Sequence, residues 1–270
     1  MTATARWTRL ALGLLGAAML AAGARAADVA WRTSPAASVL VIGGTMMKGN
    51  RFADGTLPTL REHYRDCRQV ALVLHATHPS ERDRMEQRLR EAFAHLGVPA
   101  AESLHRRDPA GMRKLLATAD GIFVGGGETF VLLAELQRSG QLGLIRERVL
   151  AGVPYAGSSA GANVAGLIIG TTNDFPTAEV SSREALALLP MTINPHHPLP
   201  QERGEFDSRV GKIRTYLQFN PTERVLGLAN ASMVRLHAGR LTLTAGTAWI
   251  YTASGVRTLN VGETEPAAGR

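Results

Sequence analysis

The chemistry suggested by this sequence centres on Ser159, the middle residue of Gly157-Ser158-Ser159-Ala160-Gly161. This G-x-S-x-G pattern follows an apolar, strand-like segment and precedes helix-forming sequence. In a nucleophile elbow of this kind, the chain turns sharply at the carboxyl end of a strand and presents the serine hydroxyl to solvent. Because glycine, alanine and serine are abundant in this chain, the pattern alone is weak support for catalysis. It makes Ser159 the candidate nucleophile.

A histidine would have to activate this serine, because a serine hydroxyl is a poor nucleophile until a base takes its proton. His196 is the candidate, since it follows the strand-like segment 191–194 and lies in the rigid turn Asn194-Pro195-His196-His197-Pro198. Other histidines, among them His75, His78, His95 and His105, precede the elbow. The His196-His197 pair could instead belong to a polar loop or an adventitious metal site. No cysteine cluster or H-E-x-x-H spacing accompanies it, so we expect no metal.

Two further groups are needed, an acid that orients the imidazole and a pair of amides that binds the oxyanion. Asp174 lies between the serine and the histidine in a segment with little apolar periodicity, where it could orient the imidazole or equally form an Asx turn. Spacing alone leaves both interpretations open. The N–H of Ala160, at a helix N-terminus, could supply one oxyanion amide and Gly127 the other.

The run Gly125-Gly126-Gly127 lies between a predicted strand and a predicted helix, as a phosphate-binding loop would. Neither the P-loop pattern nor the G-x-G-x-x-G pattern is present, so we expect no nucleotide cofactor.

The elements that would position these residues alternate between buried strands and helices. Nearly continuous apolar runs predict parallel strands at 38–42, 70–74, 121–124 and 153–156. Helices are predicted over 80–96, with Ser80 and Asp83 as a capping pair and Gly97 as the stop, and over 108–117, 129–137 and 202–219. The strand 225–228 and the alternation over 233–261 predict closing antiparallel strands. The pattern favours one doubly wound α/β domain, with its ligand beyond the carboxyl ends of the strands.

The first 26 residues have the features of a secretory signal peptide. Arg6 and Arg9 precede an apolar run over 10–23, and Ala24-Arg25-Ala26 supplies a small-residue cleavage site. The alternative is a membrane anchor, but the run falls short of the roughly 20 residues needed to span a bilayer. We therefore expect a leader over 1–26, a single domain over 27–270, and a periplasmic or secreted protein that does not associate with the membrane once the leader is cleaved.

Charge and cysteine content narrow the function classes further. Loss of three arginines with the leader lowers the formal net charge from +7 to +4. The remaining basic residues alternate with acids, which is typical of solvated helix faces and argues against a nucleic-acid partner. Cys67 is the only cysteine, so an intramolecular disulfide is excluded.

Four ordered segments together resemble the signatures of the peptidase E family, the α-aspartyl dipeptidases of serine peptidase family S51, to which the cyanophycinases are related. The segments are Val124-Gly125-Gly126-Gly127-Glu128-Thr129-Phe130, Gly157-Ser158-Ser159-Ala160-Gly161-Ala162-Asn163, Thr171-Thr172-Asn173-Asp174-Phe175-Pro176 and Ile193-Asn194-Pro195-His196. The resemblance implies a flavodoxin-like, class I glutamine amidotransferase-like three-layer sandwich with a mainly parallel sheet. It also implies removal of an N-terminal aspartate from dipeptides without a metal.

Carried over residue by residue, the resemblance implies Ser159 as nucleophile, His196 as general base and then acid, and Asp174 as the orienting carboxylate. Gly127 and Ala160 would bind the oxyanion. Arg209 is the best match, after a two-residue shift, to the arginine that pairs with the substrate aspartate; it could also be a solvated helix arginine.

The chain departs from the family pattern at two positions. Asn230 replaces a glutamate that is sometimes assigned to the triad, and Glu128 stands where the family usually has Asn or Gln. The first departure places the orienting role on Asp174. For the second, we hypothesise that Glu128 contacts the α-ammonium of the substrate, because a carboxylate near the oxyanion amides would otherwise oppose the developing charge.

The sequence leaves three functions open. The first is an exported serine exopeptidase that cleaves after an N-terminal aspartate in short peptides and acts as a monomer or homodimer. The second is a cyanophycinase-like hydrolase of β-Asp-Arg polymer, and the third is a non-catalytic periplasmic ligand-binding domain on the same scaffold. An ordinary α/β-hydrolase is disfavoured because the interval from Ser159 to His196 is too short for that fold's intervening elements.

Overall fold

The computed structural model describes residues 34–267, and the predicted leader over 1–26 lies outside them. The strands are β1 Ser38–Ile42, β2 Met47–Lys48, β3 Arg51–Phe52, β4 Gln69–Val73, β5 Ala100–Ser103, β6 Gly121–Val124, β7 Tyr155–Ser158, β8 Thr192–Asn194, β9 Val225–Leu228, β10 Met233–His237, β11 Arg240–Ala245, β12 Ala248–Thr252, β13 Gly255–Leu259 and β14 Thr264–Pro266. The helices are α1 Leu57–His63, α2 Arg82–Leu96, α3 Pro109–Thr118, α4 Thr129–Arg138, α5 Gln141–Leu150, α6 Ala160–Ala165 and α7 Arg203–Phe219.

An eight-stranded sheet runs in the order β14-β11-β10-β1-β7-β6-β4-β5. Five neighbouring strands of this sheet are parallel: β1, β7, β6, β4 and β5. Beyond β1, the strands β10, β11 and β14 extend the sheet in antiparallel fashion. The carboxyl ends of the parallel strands therefore meet at one edge, where ligands bind in open α/β sheets. Both the glycine run and the Ser159 elbow follow strands that end at this edge.

Alternate residues of the central strands pack on opposite faces of this sheet. In β1, Val39 and Val41 belong to an apolar cluster with α3, α4, α5 and α6, whereas Leu40 and Ile42 belong to a second cluster with α1 and α2. Because both faces are covered, the strands read as continuous apolar runs in the sequence. The result is the predicted three-layer α/β sandwich with a mainly parallel central sheet.

A second sheet of four strands, in the order β13-β12-β9-β8, was not predicted as a separate unit. Its strands β8 and β9 are parallel, and β12 and β13 continue it in antiparallel fashion. Helix α7 packs on it through Val210, Ile213 and Leu217, together with Trp249 and Tyr251 of β12. The histidine turn thus follows a strand of the second sheet, and not a strand of the sheet that carries the serine.

Of the two predicted ends of the helix over 80–96, the structure confirms the C-terminal one. Gly97 ends α2 in the left-handed conformation (φ 96°), as predicted. The expected Ser80–Asp83 capping pair is absent, because residues 79–81 form a short 3₁₀ turn in which the His78 side chain accepts a hydrogen bond from the N–H of Ser80. Within residues 34–267, none of the helices has both the length and the apolar character that a membrane span requires.

Candidate active site

Ser159 occupies the strained turn that the elbow pattern predicts. It lies between β7 and α6 with φ 55° and ψ −112°, a conformation that non-glycine residues rarely adopt. Its N–H donates to the carbonyl of Ile42 at the end of β1 (3.0 Å), which anchors the turn to the neighbouring strand. A Cβ atom at Gly161 would lie 2.2 Å from the carbonyl oxygen of Val124, so only glycine allows α6 to approach β6 this closely.

The imidazole of His196 lies directly beside this serine. The Ser159 hydroxyl donates to Nε2 of His196 across 2.8 Å. His196 also has a positive φ of 50°, and its N–H donates to the carbonyl of Gly43 (2.9 Å), which follows β1. A Cβ atom at Gly44 would lie 2.1 Å from the imidazole, so the loop after β1 fits against the ring because it carries no side chain there.

The second ring nitrogen of His196 is bound by Asn230. Its Nδ1 lies 2.7 Å from Oδ1 of Asn230, which follows β9 in the second sheet. Because an amide oxygen can only accept, the bond requires a proton on Nδ1 and leaves the lone pair of Nε2 free for the serine proton. The same pairing of histidine with asparagine occurs in the Cys-His-Asn arrangement of papain-like proteases, where the nucleophile is a cysteine. Ser159, His196 and Asn230 thus form a hydrogen-bonded triad whose third member is neutral.

The structure does not give Asp174 the orienting role that the resemblance implied. One oxygen of its carboxylate accepts from the N–H of Thr129 (2.8 Å), the first residue of α4, and the ring of His196 is bonded to Asn230 instead. A carboxylate at a helix N-terminus satisfies a free amide and interacts favourably with the helix dipole. Asp174 is therefore a cap for the helix that follows the glycine run.

Its neighbour Asn173 braces the histidine turn. The Asn173 side-chain amide donates to the carbonyl of Pro195 (2.9 Å), and its oxygen accepts from Asn194 (3.0 Å). Asn194 also donates to the carbonyl of Thr171 (2.6 Å) and is buried. The segment 171–174 therefore holds the turn that carries His196 and does not supply a group that reaches the imidazole.

Arg209, on α7, lies against the same turn. Its Nη1 donates to Oδ1 of Asn194 (2.9 Å) and contacts the carbonyls of Pro195 (3.5 Å) and His196 (3.3 Å). The guanidinium is half-buried, and this desolvation lowers the pKa of Arg209. Within residues 34–267 it has no carboxylate at ion-pair distance, so Nε and Nη2 remain available to an anion.

The predicted oxyanion amides stay a prediction, with supporting local geometry. Gly127 has φ 131°, and a Cβ atom there would lie 2.1 Å from the carbonyl oxygen of Ala76, so the loop needs glycine. The N–H groups of Gly126 and Gly127 bond to no acceptor in the described part of the chain. Gly126 lies beside the serine, since its added Cβ would be 3.5 Å from Ser159 Oγ. Ala160 is the first residue of α6, where helical N–H groups have no intrahelical partner.

Glu128 and His197 lie near the site with different environments. Glu128 is exposed at the start of α4, and its carboxylate accepts from the hydroxyl of Thr177 (3.2 Å). His197 is buried against Trp249 and Tyr251, and it bonds to the Tyr251 hydroxyl (2.9 Å) and the Pro198 carbonyl (2.8 Å). Burial lowers the pKa of His197 to about 4. The two adjacent histidines thus point into different surroundings and do not form a common ligand pair.

Three possible metal ligands, Asp83, Glu86 and His105, converge elsewhere in the described chain. His105 bonds to the Asp83 carboxylate through Nε2 (2.8 Å), and its Nδ1 lies 2.6 Å from the hydroxyl of Ser103. Arg106 forms ion pairs with both carboxylates. Because Arg106 already pairs with both carboxylates, the group is suited to holding α2 to the segment after β5.

Three asparagines of the site were not predicted as functional residues from the sequence: Asn173, Asn194 and Asn230. The signal for Asn230 was present as a departure from the family pattern, and an amide can accept from an imidazole as a carboxylate does. For Asn173 and Asn194, the signal was the polar composition of a segment with little apolar periodicity. Many loops have the same composition, so it does not identify a segment that braces a catalytic turn.

An elbow serine hydrogen-bonded to an imidazole, at the strand ends of a three-layer α/β sandwich, defines the site of a serine hydrolase. Residues 39–244 match the sequence model of peptidase family S51. The chain is 35% identical over 207 residues to "Peptidase E" of Shewanella amazonensis, covering 76% of this chain and 86% of that protein. It is 35% identical over 205 residues to "Peptidase E" of Haemophilus influenzae, covering 75% and 93%. The chain belongs to peptidase family S51 and is a serine-type peptidase.

Solved structures share the fold. A peptidase from an acI-B1 actinobacterium superimposes with a TM-score of 0.67 at 16% identity, over 85% of this chain and 96% of that chain. A putative peptidase E protein from Listeria monocytogenes EGD-e gives a TM-score of 0.59 at 19% identity, over 84% and 99%. At these identities the likeness supports the fold alone. The predicted family, fold class and enzyme class are confirmed.

Proposed function

We propose that this protein removes an N-terminal aspartate from dipeptides and short peptides through an acyl-enzyme formed on Ser159. The observation that carries the proposal is the 2.8 Å hydrogen bond from the serine hydroxyl to Nε2 of His196. The name of the two bacterial relatives supports the choice of substrate, since both are called peptidase E.

In the first half of the reaction, Ser159 Oγ attacks the carbonyl carbon of the aspartyl residue while its proton passes to Nε2 of His196. The Asn230 amide keeps the other ring proton on Nδ1, so that Nε2 faces the hydroxyl in the basic state. The N–H groups of Ala160 and Gly127 receive the oxyanion. Collapse of the tetrahedral intermediate breaks the C–N bond, and the proton on Nε2 goes to the leaving amine.

In the second half, water takes the place of the leaving amine. Nε2 removes one proton from this water as the hydroxide oxygen attacks the ester carbon, and the same proton returns to Ser159 Oγ when the ester bond breaks. Free aspartate is released and the starting protonation state is restored. Each proton transfer in the two halves of the reaction thus passes through Nε2 of His196.

The substrate aspartate requires a cation and its free ammonium requires an anion. Arg209 suits the side-chain carboxylate, because it is half-buried and its Nε and Nη2 have no carboxylate partner within residues 34–267. Glu128, exposed at the N-cap of the helix after the glycine run, suits the ammonium. We further propose that the protein acts after export and removal of residues 1–26; fusion of these residues to alkaline phosphatase should give periplasmic activity.

The test is hydrolysis of Asp-Leu by the mature protein and by Ser159→Ala. We expect turnover by the parent, loss of at least roughly 10⁴-fold in the variant, and unchanged unfolding. Ser254→Ala, in the exposed turn after β12 and away from the cavity beside Ser159, is the matched control and should retain activity. Retained hydrolysis in Ser159→Ala would refute the mechanism.

The alternative substrates are outcomes of the same assay. Preference for β-Asp-Arg over Asp-Leu would assign the protein to the cyanophycinase type. Failure of a fluorophosphonate to label Ser159, together with no turnover of either substrate, would favour the non-catalytic binding domain.

A further inference from the structure

A cavity of about 310 Å³ opens directly beside Ser159 and His196, at the carboxyl edge of the main sheet. Its volume lies at the small end of the range for ligand sites, which suits a substrate of a few residues. Its walls are mainly apolar and are formed by Met46, Met47, Met85, Leu89 and Phe123. Met46, Leu89 and Phe123 are buried, so this surface is built into the fold and is not an accident of exposed side chains.

One cation, Arg88 of α2, lines the same cavity. Its Nε and Nη2 both donate to the carbonyl of Gly49 (3.2 and 2.8 Å), which fixes the guanidinium in place. No carboxylate within residues 34–267 lies at ion-pair distance from it, whereas Arg84 on the same helix pairs with Glu81. The Arg88 charge is thus held in place at an apolar cavity without a partner for its charge.

The position of the cavity relative to the imidazole indicates which part of the substrate it receives. The leaving amine takes its proton from Nε2 of His196, so the leaving residue must lie beside this ring. The cavity is lined by His196, by the glycine run 125–127 and by the segment from Gly44 to Met47, in which Gly44 fits closely against the imidazole. Glu128 and Arg209, which suit the aspartyl residue, do not line it.

We propose that this cavity binds the residue on the leaving side of the scissile bond, that it selects a large apolar side chain there, and that Arg88 binds the free α-carboxylate of that residue. The preferred substrates are then dipeptides in which aspartate is followed by leucine, methionine or phenylalanine. This inference rests on the proposed function, because it specifies the second residue of the same substrate. It also explains a preference for dipeptides, since only a C-terminal residue offers its carboxylate at this position.

The experiment compares kcat/KM for Asp-Leu, Asp-Leu-amide and Asp-Gly in the parent protein and in Arg88→Gln. The parent should prefer Asp-Leu to Asp-Gly by at least roughly tenfold, because the glycine leaves the apolar walls empty. It should prefer Asp-Leu to the amide by roughly 10–100-fold, the effect of a charged hydrogen bond. Arg88→Gln should remove the second preference by lowering activity on Asp-Leu alone, mainly through KM.

Arg84→Gln is the matched control, because it makes the same change one helical turn earlier at an exposed residue that does not line the cavity. It should leave all three substrates unaffected. Equal losses on Asp-Leu and its amide in Arg88→Gln would assign Arg88 to another part of the substrate and overturn the proposal. Equal rates on Asp-Leu and Asp-Gly in the parent would overturn the apolar selection.

A binding measurement separates this inference from the proposed function. If the parent cleaves none of the three substrates, the proposed function fails, and the cavity is still tested by calorimetry of leucine and leucinamide on Ser159→Ala. Leucine should bind at least roughly tenfold more tightly than leucinamide, and Arg88→Gln in the same background should abolish the difference. Equal affinities for leucine and leucinamide in Ser159→Ala, which retains Arg88, would refute the assignment.

Discussion

Nδ1 of His196 lies 2.7 Å from Oδ1 of Asn230, so a neutral amide occupies the place at the imidazole where serine peptidases usually have a carboxylate. The amide fixes the tautomer and the ring orientation. It offers no negative charge to the imidazolium that forms when Ser159 loses its proton.

Asn230→Asp should therefore increase kcat/KM. A carboxylate beside the exposed imidazolium contributes about 1.5 kcal/mol at this distance in high dielectric, which corresponds to roughly tenfold. The acid limb of the pH–rate profile should move to higher pH, because the carboxylate favours the protonated ring. Asn230→Ala should lower kcat by roughly 10–100-fold, since the ring is no longer held. A faster alanine variant, or an aspartate variant with an unchanged pH profile, would refute this role.

Asp174→Ala should affect stability more than catalysis. Its carboxylate caps α4 at the N–H of Thr129, and loss of a cap lowers the free energy of unfolding by about 1 kcal/mol. We expect kcat/KM to fall by less than roughly tenfold, whereas loss of a triad carboxylate costs about 10⁴-fold. Asp108→Ala is the matched control, because Asp108 caps α3 through Gly111. The two variants should lose similar stability in urea titrations; a 10⁴-fold rate loss at Asp174 alone would restore it to the triad.

The difference between predicted and observed site residues has a physical origin. Ser159 and His196 could be found because an elbow turn and a proline-flanked histidine have local sequence signatures. The partner of the imidazole could not be found in this way, because it depends on a long-range contact. Asn230 follows a strand of the second sheet, and the alternation over 233–261 does not indicate which sheet those strands join. The resemblance assigns the orienting role to Asp174 as the remaining carboxylate of a family segment, whereas in the structure Asp174 caps α4 and its neighbour Asn173 braces the histidine turn.

In the fold as well, elements with a local sequence signature were predicted and elements without one were not. Continuous apolar runs such as 38–42 predicted the parallel strands to within two residues, because burial on both faces leaves a direct trace in composition. The strand Ala100–Ser103 and the helix Gln141–Leu150 were not predicted. The strand carries a glutamate and a serine at an edge of the sheet, and the helix alternates charged and apolar residues.

Arg209→Gln should remove discrimination between aspartate and asparagine at the N-terminal position. The parent should favour Asp-Leu over Asn-Leu by roughly 10–100-fold, as expected for a charged hydrogen bond to a half-buried guanidinium. The variant should lower this ratio to near one while Arg88→Gln leaves it unchanged, because the two arginines would bind different carboxylates. Rates for both substrates would be measured under kcat/KM conditions. An equal loss on both would mean that Arg209 acts only by holding the turn at Asn194.

Glu128→Gln should weaken the distinction between free and N-acetylated substrates. The carboxylate is exposed, so its attraction for the substrate ammonium is modest, and we expect the ratio of rates on Asp-Leu and N-acetyl-Asp-Leu to fall by up to roughly fivefold. Glu135→Gln, in the helix that Glu128 precedes, is the control and should leave the ratio unchanged. An unaltered ratio in Glu128→Gln would remove the ammonium contact from the mechanism.

His63 should make the fold sensitive to mild acid. It is buried, its Nε2 donates to the carbonyl of Tyr155 (3.0 Å), and its Nδ1 has no partner, so desolvation lowers the pKa of His63 to about 4 from its usual 6.5. The unfolded chain then takes up a proton that the folded protein resists. Stability from this residue is fully present above pH 6.5 and decreases as the pH falls towards 4, by up to about 3 kcal/mol. His63→Gln retains a donor for Tyr155 and should reduce the pH dependence of unfolding in urea between pH 7 and 4 relative to the parent; an identical slope in both proteins would contradict the assignment.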